Sequence, residues 1–202
     1  MGFEVSDRTC VGLVDPDDHS TVAAKFDAAV PHMETALRLE PNNADFHLVY
    51  ATLLQRIGRN EDAAVHFEAA TRLKPNSVEA HYSYATFLAG VGKNDEYISE
   101  LRRVLQLRSD YPYAELQLAD ALFAKGNLQE AESHYLAALR TDPKLTVAYN
   151  NLGKVYLTQG QISQAVVQFS EALRLNPEYK EAEENLQTAK AADAQLFPAA
   201  RR

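Results

Sequence analysis

The chain has 202 residues, 46% of them apolar, and 20 Lys and Arg against 28 Asp and Glu give a net charge of -8. That acidity argues against a partner dominated by phosphates, so no nucleic acid ligand is expected. One cysteine, Cys10, makes no internal disulfide, and no CxxC or Cys/His cluster offers a zinc site, which together suit a reducing, cytoplasmic setting.

Residues 1–19 show no helical period and carry Asp15, Pro16, Asp17 and Asp18, so a loosely ordered lead-in is expected. Met1, Gly2 and Ser6 fit the short myristoylation pattern, but Glu4 and Asp7 supply no basic second signal, and the match reads as coincidence. The start lacks the basic and apolar runs of a secretory signal. No later segment approaches the roughly 18 apolar residues that span a bilayer, so no membrane insertion is expected.

From Ser20 onward Val22, Phe26, Ala29, Val30, Met33 and Leu37 return at spacings of three and four, which predicts an amphipathic helix ending before Pro41. Pro31 lies inside it and predicts a kink or break near Val30. Residues 20–43 match only the second half of the unit that follows.

That unit is set by punctuation. Gly58, Gly92, Gly126 and Gly160 lie 34 residues apart, and Pro41, Pro75, Pro143 and Pro177 keep the same interval with Ser109 in the gap. A fixed period of this length marks a stacked repeat array. Four complete units follow, 44–77, 78–111, 112–145 and 146–179, each predicted to be two helices. In the first unit these run over Ala44 to Arg56 and from about Glu61 to Leu73, with a glycine turn between them and a proline stop behind. Asn60 and Asn94 are the expected N-caps of the second helices.

Small residues align as Ala51, Ala85, Ala119 and Gly153 in the first helices and as Ala63, Tyr97, Ala131 and Ala165 in the second. Large ones face them at Tyr50, Tyr84, Leu118 and Leu152, then at Phe67, Leu101, Tyr135 and Phe169. Alternating sizes suit interdigitated packing, so these columns are the predicted core. Unit 78–111 departs most, because Tyr97 stands in an alanine column and should spread the helix pair or swing outward. Residues 180–194 form a capping helix with Ala182, Leu186 and Ala189 inward and Glu183, Glu184, Gln187 and Lys190 in water, and 195–202 are expected to be a flexible tail.

The chain resembles the tetratricopeptide repeat family: L-G-x-x-Y stands at Leu152, Gly153 and Tyr156, followed by Ala165, Phe169, Ala172 and Pro177. The tryptophan frequent in that family is replaced by His47, His81, Glu115 and Tyr149. The resemblance implies an all-α fold, a right-handed superhelical solenoid whose first helices line a concave surface that holds peptides. On spacing, that surface presents Asp45, Leu48, Val49, Thr52 and Arg56, then Glu79, Tyr82, Ser83 and Thr86. It continues with Tyr113, Leu116, Gln117, Asp120 and Phe123, and ends with Val147, Asn150, Asn151, Lys154 and Thr158.

Chaperone-binding relatives hold a terminal carboxylate with converging basic groups, whereas here the basic groups are Arg56 and Lys154, opposed by Asp45, Glu79 and Asp120. Asn-Asn-Leu-Gly also resembles the asparagine ladder of O-linked N-acetylglucosamine transferases, but Val49, Ser83 and Gln117 fill the Asn151 column. No catalytic motif accompanies the repeats: there is no HExxH, P-loop or GxSxG, and His47, His66, His81 and His134 sit in period-locked columns as structural groups. His19, in an acidic loop, is read as binding nothing. The expectation is a non-catalytic protein-protein interaction module, scaffold or adaptor, without cofactor or metal, binding a protein or peptide partner. Two alternatives stand beside it: a repeat segment of a larger enzyme or secretion or assembly machine, and a scaffold self-associating through its N-terminal half-repeat.

Overall fold

In the computed structural model the described residues are 19–196, with side chains described for 26–194. Residues 1–18, with Cys10 and the myristoylation pattern, the side chains of His19 and Val22, and residues 197–202 lie outside the described part. The described residues form ten helices and no strand: α1 His19–Leu39, α2 Ala44–Arg56, α3 Asn60–Leu73, α4 Val78–Gly90, α5 Asn94–Leu107, α6 Pro112–Ala124, α7 Leu128–Thr141, α8 Thr146–Thr158, α9 Ile162–Leu175 and α10 Lys180–Leu196. Each helix packs on its sequence neighbours, giving an all-α repeat solenoid.

The 34-residue punctuation works through the backbone. Gly58, Gly92, Gly126 and Gly160 hold φ at 80, 75, 80 and 75°, a left-handed conformation that costs other residues energy. The residue after each glycine then donates back into the finished helix, as Arg59 N does to Leu54 O at 2.9 Å and Gln161 N to Tyr156 O at 2.8 Å. Asn43 Oδ1 caps α2 by accepting from Asp45 N and Phe46 N at 3.0 and 3.2 Å, and Ser77 Oγ caps α4 by accepting from Ala80 N at 3.2 Å. Asn60 and Asn94 are not caps. Arg59 O already accepts from Ala63 N at 3.0 Å and Lys93 O from Tyr97 N at 2.9 Å, so each helix has started one residue earlier than the sequence suggested.

No break occurs at Val30: α1 runs through Pro31 to Leu39. Pro31 lies on the exposed side, away from the face where Phe26, Ala29, Val30, Met33 and Leu37 pack on α2. Its missing donor therefore falls on the water side. Pro112, as expected, opens α6 where a proline loses no intrahelical bond.

The predicted columns are buried, with Ala51, Ala85, Ala119, Ala63, Ala131 and Ala165 all at 0% exposure. The core nevertheless falls into two clusters. One joins α1 to α4 around Tyr50, Leu54, Phe67, Tyr84 and Phe87. The other runs from Ala85 of α4 and Ile98 of α5 to Ala189 of α10. Tyr97 packs against both, half-buried at their junction, so the ring neither leaves the surface nor enters an alanine-sized slot. Burial, with Tyr82 and Asp120 nearby, pushes its phenol up to about 12. At the same place α4 and α6 touch less than α2 touches α4 or α6 touches α8.

The period-locked histidines form a ladder between paired helices, each partner 19 residues on. His47 Nδ1 lies 2.8 Å from His66 Nδ1, His81 Nδ1 2.6 Å from Glu100 Oε2, and His134 Nδ1 2.5 Å from Glu115 Oε2. His47 Nε2 and His81 Nε2 are 3.0 and 3.2 Å from the carbonyls of Pro41 and Pro75, so these rings fasten the turn before each unit to its helices. At the far end Ala182 and Ala189 of α10 are fully buried while Glu183, Glu184, Gln187 and Lys190 remain exposed.

Candidate partner-binding groove

First helices of successive pairs meet directly, α2 with α4, α6 with α8, and α8 with α10, which puts them on the inner, shorter-radius side of the stack. The residues expected on that face divide into three regions with different chemistry.

At the N-terminal end α1, α2 and α4 enclose a 330 Å³ pocket lined by Phe26, Leu48, Val49, Thr52, Leu53, Arg56, Glu79 and Ser83. Val49 is 56% exposed, and the Arg56 guanidinium stands over the Phe26 ring, 5.9 Å from its centre. Thr52 Oγ donates to the carbonyl of Leu48 at 2.9 Å, and Thr86, also exposed, donates to that of Tyr82 at 3.0 Å. Both hydroxyls are thus occupied by their own helix. Phe26 and Leu53 are contributors that spacing missed. Phe26, expected as core of the half-unit, packs on the core and also lines this pocket.

The middle is aromatic. Tyr82 and Tyr111 pack ring to ring with centroids 5.0 Å apart and fill the gap between α4 and α6. Burial raises the Tyr82 phenol first, and Tyr111 adds to it. Tyr113 is 54% exposed, with Val147 of the next first helix 45% exposed. Leu116 and Phe123 are half-buried against the core, and Gln117 buries its Oε1 without a hydrogen-bond partner.

At the C-terminal end the polar groups are already spent. Asp120 accepts from Tyr135 Oη at 2.5 Å and from Asn151 Nδ2 at 2.8 Å. Burial, then this carboxylate, pushes the Tyr135 phenol far up. Asn150 is not on the groove surface at all: it is 0% exposed, donates to Asn151 Oδ1 and Tyr179 Oη at 3.3 Å each, and accepts from Asn185 Nδ2 at 2.9 Å. Placed where Leu48, Tyr82 and Leu116 stand in the other units, it seats the capping helix. Lys154 Nζ donates to Glu181 Oε1 at 3.1 Å and holds that carboxyl below its usual range. Of the groups expected to meet a peptide here, Asn150 and Lys154 therefore fasten α10, and Asn151 is tied to Asp120 of α6.

Among the described residues no group of three or more His, Cys, Asp or Glu is placed to hold a metal ion, and no helix is long and apolar enough to cross a membrane.

No curated protein sequence matches the chain. Among solved structures it is similar to YrrB, described as a TPR protein with an unusual peptide-binding site, at a TM-score of 0.71 and 22% identity, covering 82% of this chain and 84% of that one. A structure of MamA aligns at 0.71 and 24% identity over 83% of this chain and 98% of its own. The first TPR of Spaghetti (RPAP3), bound to the HSP90 peptide SRMEEVD, aligns at 0.56 and 22% identity over 58% and 93%. These likenesses show the fold. Two family profiles, each described as tetratricopeptide repeat, match residues 23–85 and 110–178, together more than half of the chain. With the glycine turns, the small-residue columns and the paired helices in one register, the chain belongs to the tetratricopeptide repeat family.

Proposed function

We propose that the chain is a non-catalytic interaction module, a scaffold or adaptor that holds a segment of a partner polypeptide along its concave groove. The observation that carries this is the inner face from Phe26 to Val147, which leaves Val49 of α2, Tyr113 of α6 and Val147 of α8 about half exposed. Aromatic and aliphatic groups held on rigid helices supply contact area at low entropic cost. The peptide sites of YrrB and of the first TPR of Spaghetti lie on the same architecture and support the reading. An anionic chain terminus is a poor fit, because Lys154 is committed to Glu181 and Arg56 shares its pocket with Glu79. The single cysteine favours a cytoplasmic setting.

The test is site-specific photo-crosslinking in cells. A benzophenone side chain at Val49 or Tyr113 is expected to give covalent adducts with another polypeptide, while one at Val65 or Val167, exposed on second helices, is not. Adducts only from Val65 and Val167, or none from the groove positions, would refute the reading.

A further inference from the structure

The N-terminal pocket carries two charges that the repeat pattern leaves unanswered. In the first unit Asp45 is held by Lys74, which follows it by 29 residues, at 2.6 Å. Glu79 is the next residue in the Asp45 column and Arg108 the next in the Lys74 column. That pair does not form. In the irregular unit Arg108 turns to Asp110, Nε to Oδ1 at 3.3 Å, and lies over the Tyr111 ring at 5.0 Å. Glu79 is left exposed on the pocket wall without an ion-pair partner among the described residues.

Arg56 is also peculiar to this end, since its column continues with Gly90, Ala124 and Thr158. It makes no ion pair among the described residues, and stacking on Phe26 holds the guanidinium at the rim. The two charges share one pocket yet do not pair with each other. Between them lies an apolar floor of Phe26, Leu48, Val49 and Leu53, and Ser83 Oγ has no hydrogen-bond partner among the described residues. A cation and an anion on either side of an apolar hollow complement a segment with the opposite arrangement, because each charge would gain a partner without displacing one among the described residues.

We infer that this pocket takes a large apolar side chain from a partner segment that also presents a carboxylate to Arg56 and an ammonium or guanidinium to Glu79. The inference rests on the groove reading above and adds the chemistry of the occupant and the end of the groove where it anchors. It separates this site from the C-terminal end, whose polar groups already have partners.

The test uses five synthetic fluorescent peptides on the whole chain: a central Leu flanked by Lys and Glu in either order, by two Lys, by two Glu, and a mixed-charge control with Ala at the centre. One mixed-charge Leu peptide is expected to bind about tenfold more tightly than the like-charge peptides and the Ala control. Both charged residues are exposed, so the double variant Arg56→Glu with Glu79→Lys keeps the helices, as circular dichroism will show. In it the preference is expected to reverse to the peptide of opposite charge order. An unchanged ranking in the double variant, equal binding of the Ala control, or no saturable binding by any of the five overturns the inference. Groove crosslinks that persist beside such a result leave the interaction module standing and fault the pocket chemistry alone.

Discussion

Replacing Gly153 with Ala sets two opposite effects against each other at one atom. Gly153 lies inside α8, where alanine is the better helix former by about 0.5–1 kcal/mol. A methyl there would stand 2.6, 2.7 and 2.9 Å from three ring carbons of Phe169, whose side chain is 0% exposed. Overpacking of this kind costs about 1–3 kcal/mol, because the ring and the two helices must separate. The other units place a buried alanine in this column, at Ala51, Ala85 and Ala119, so the crowding is specific to the way Phe169 lies over Gly153. The net expectation for Gly153→Ala is a loss of about 1 kcal/mol, read by urea denaturation followed by far-UV circular dichroism. In a Phe169→Leu background the clash is gone, as Ala85 and Leu101 coexist in the second unit, and the same substitution should gain about 0.5–1 kcal/mol. If Gly153→Ala has the same sign in both backgrounds, the close approach of glycine to ring is not what fixes this residue.

Tyr135→Phe removes the phenol that donates to Asp120 and leaves the carboxylate with Asn151 alone, which should cost about 2 kcal/mol. An unchanged urea midpoint would refute that. His66 is held below its usual range by burial first and His47 second, with Asp62 and Arg59 acting in opposite, smaller senses. The unfolded chain therefore takes up this proton first, and the contribution of His66 to stability falls as pH drops below the ordinary histidine range. His66→Gln removes that proton uptake while keeping a polar side chain beside His47. Between about pH 7.5 and about pH 5.5 the melting temperature of the variant should therefore rise relative to the parent chain, and parallel profiles would contradict the assignment.

The architecture was legible because the period is written in residues with strong backbone or volume preferences. A glycine at φ near 80° and an alanine at 0% exposure have few substitutes, so Gly58 and Ala51 read the same in sequence and in space. The groove was less legible because a polar residue on a first helix looks alike whether it faces a partner or a neighbouring helix. Asn150 and Lys154 took the second course through Asn185 and Glu181, 35 and 27 residues on, and both partners belong to the cap, where the repeat pattern no longer guides. Glu79 and Arg108 show the converse: the register predicts a pair, and the diversion of Arg108 to Asp110 and Tyr111 breaks it.

The division of the core at α4 and α5 bears on how the array melts. In a stack where each unit leans on its neighbours, a thin junction separates cooperative blocks, and here Tyr97 is the side chain spanning it. Amide exchange should find α2 and α3 opening together and α5 to α10 as a second, more protected block, with α4 contributing to both clusters. A segment reaching from the Phe26 pocket to Tyr113 would touch both blocks. Its binding would then be felt as rigidity, turning two melting units into one.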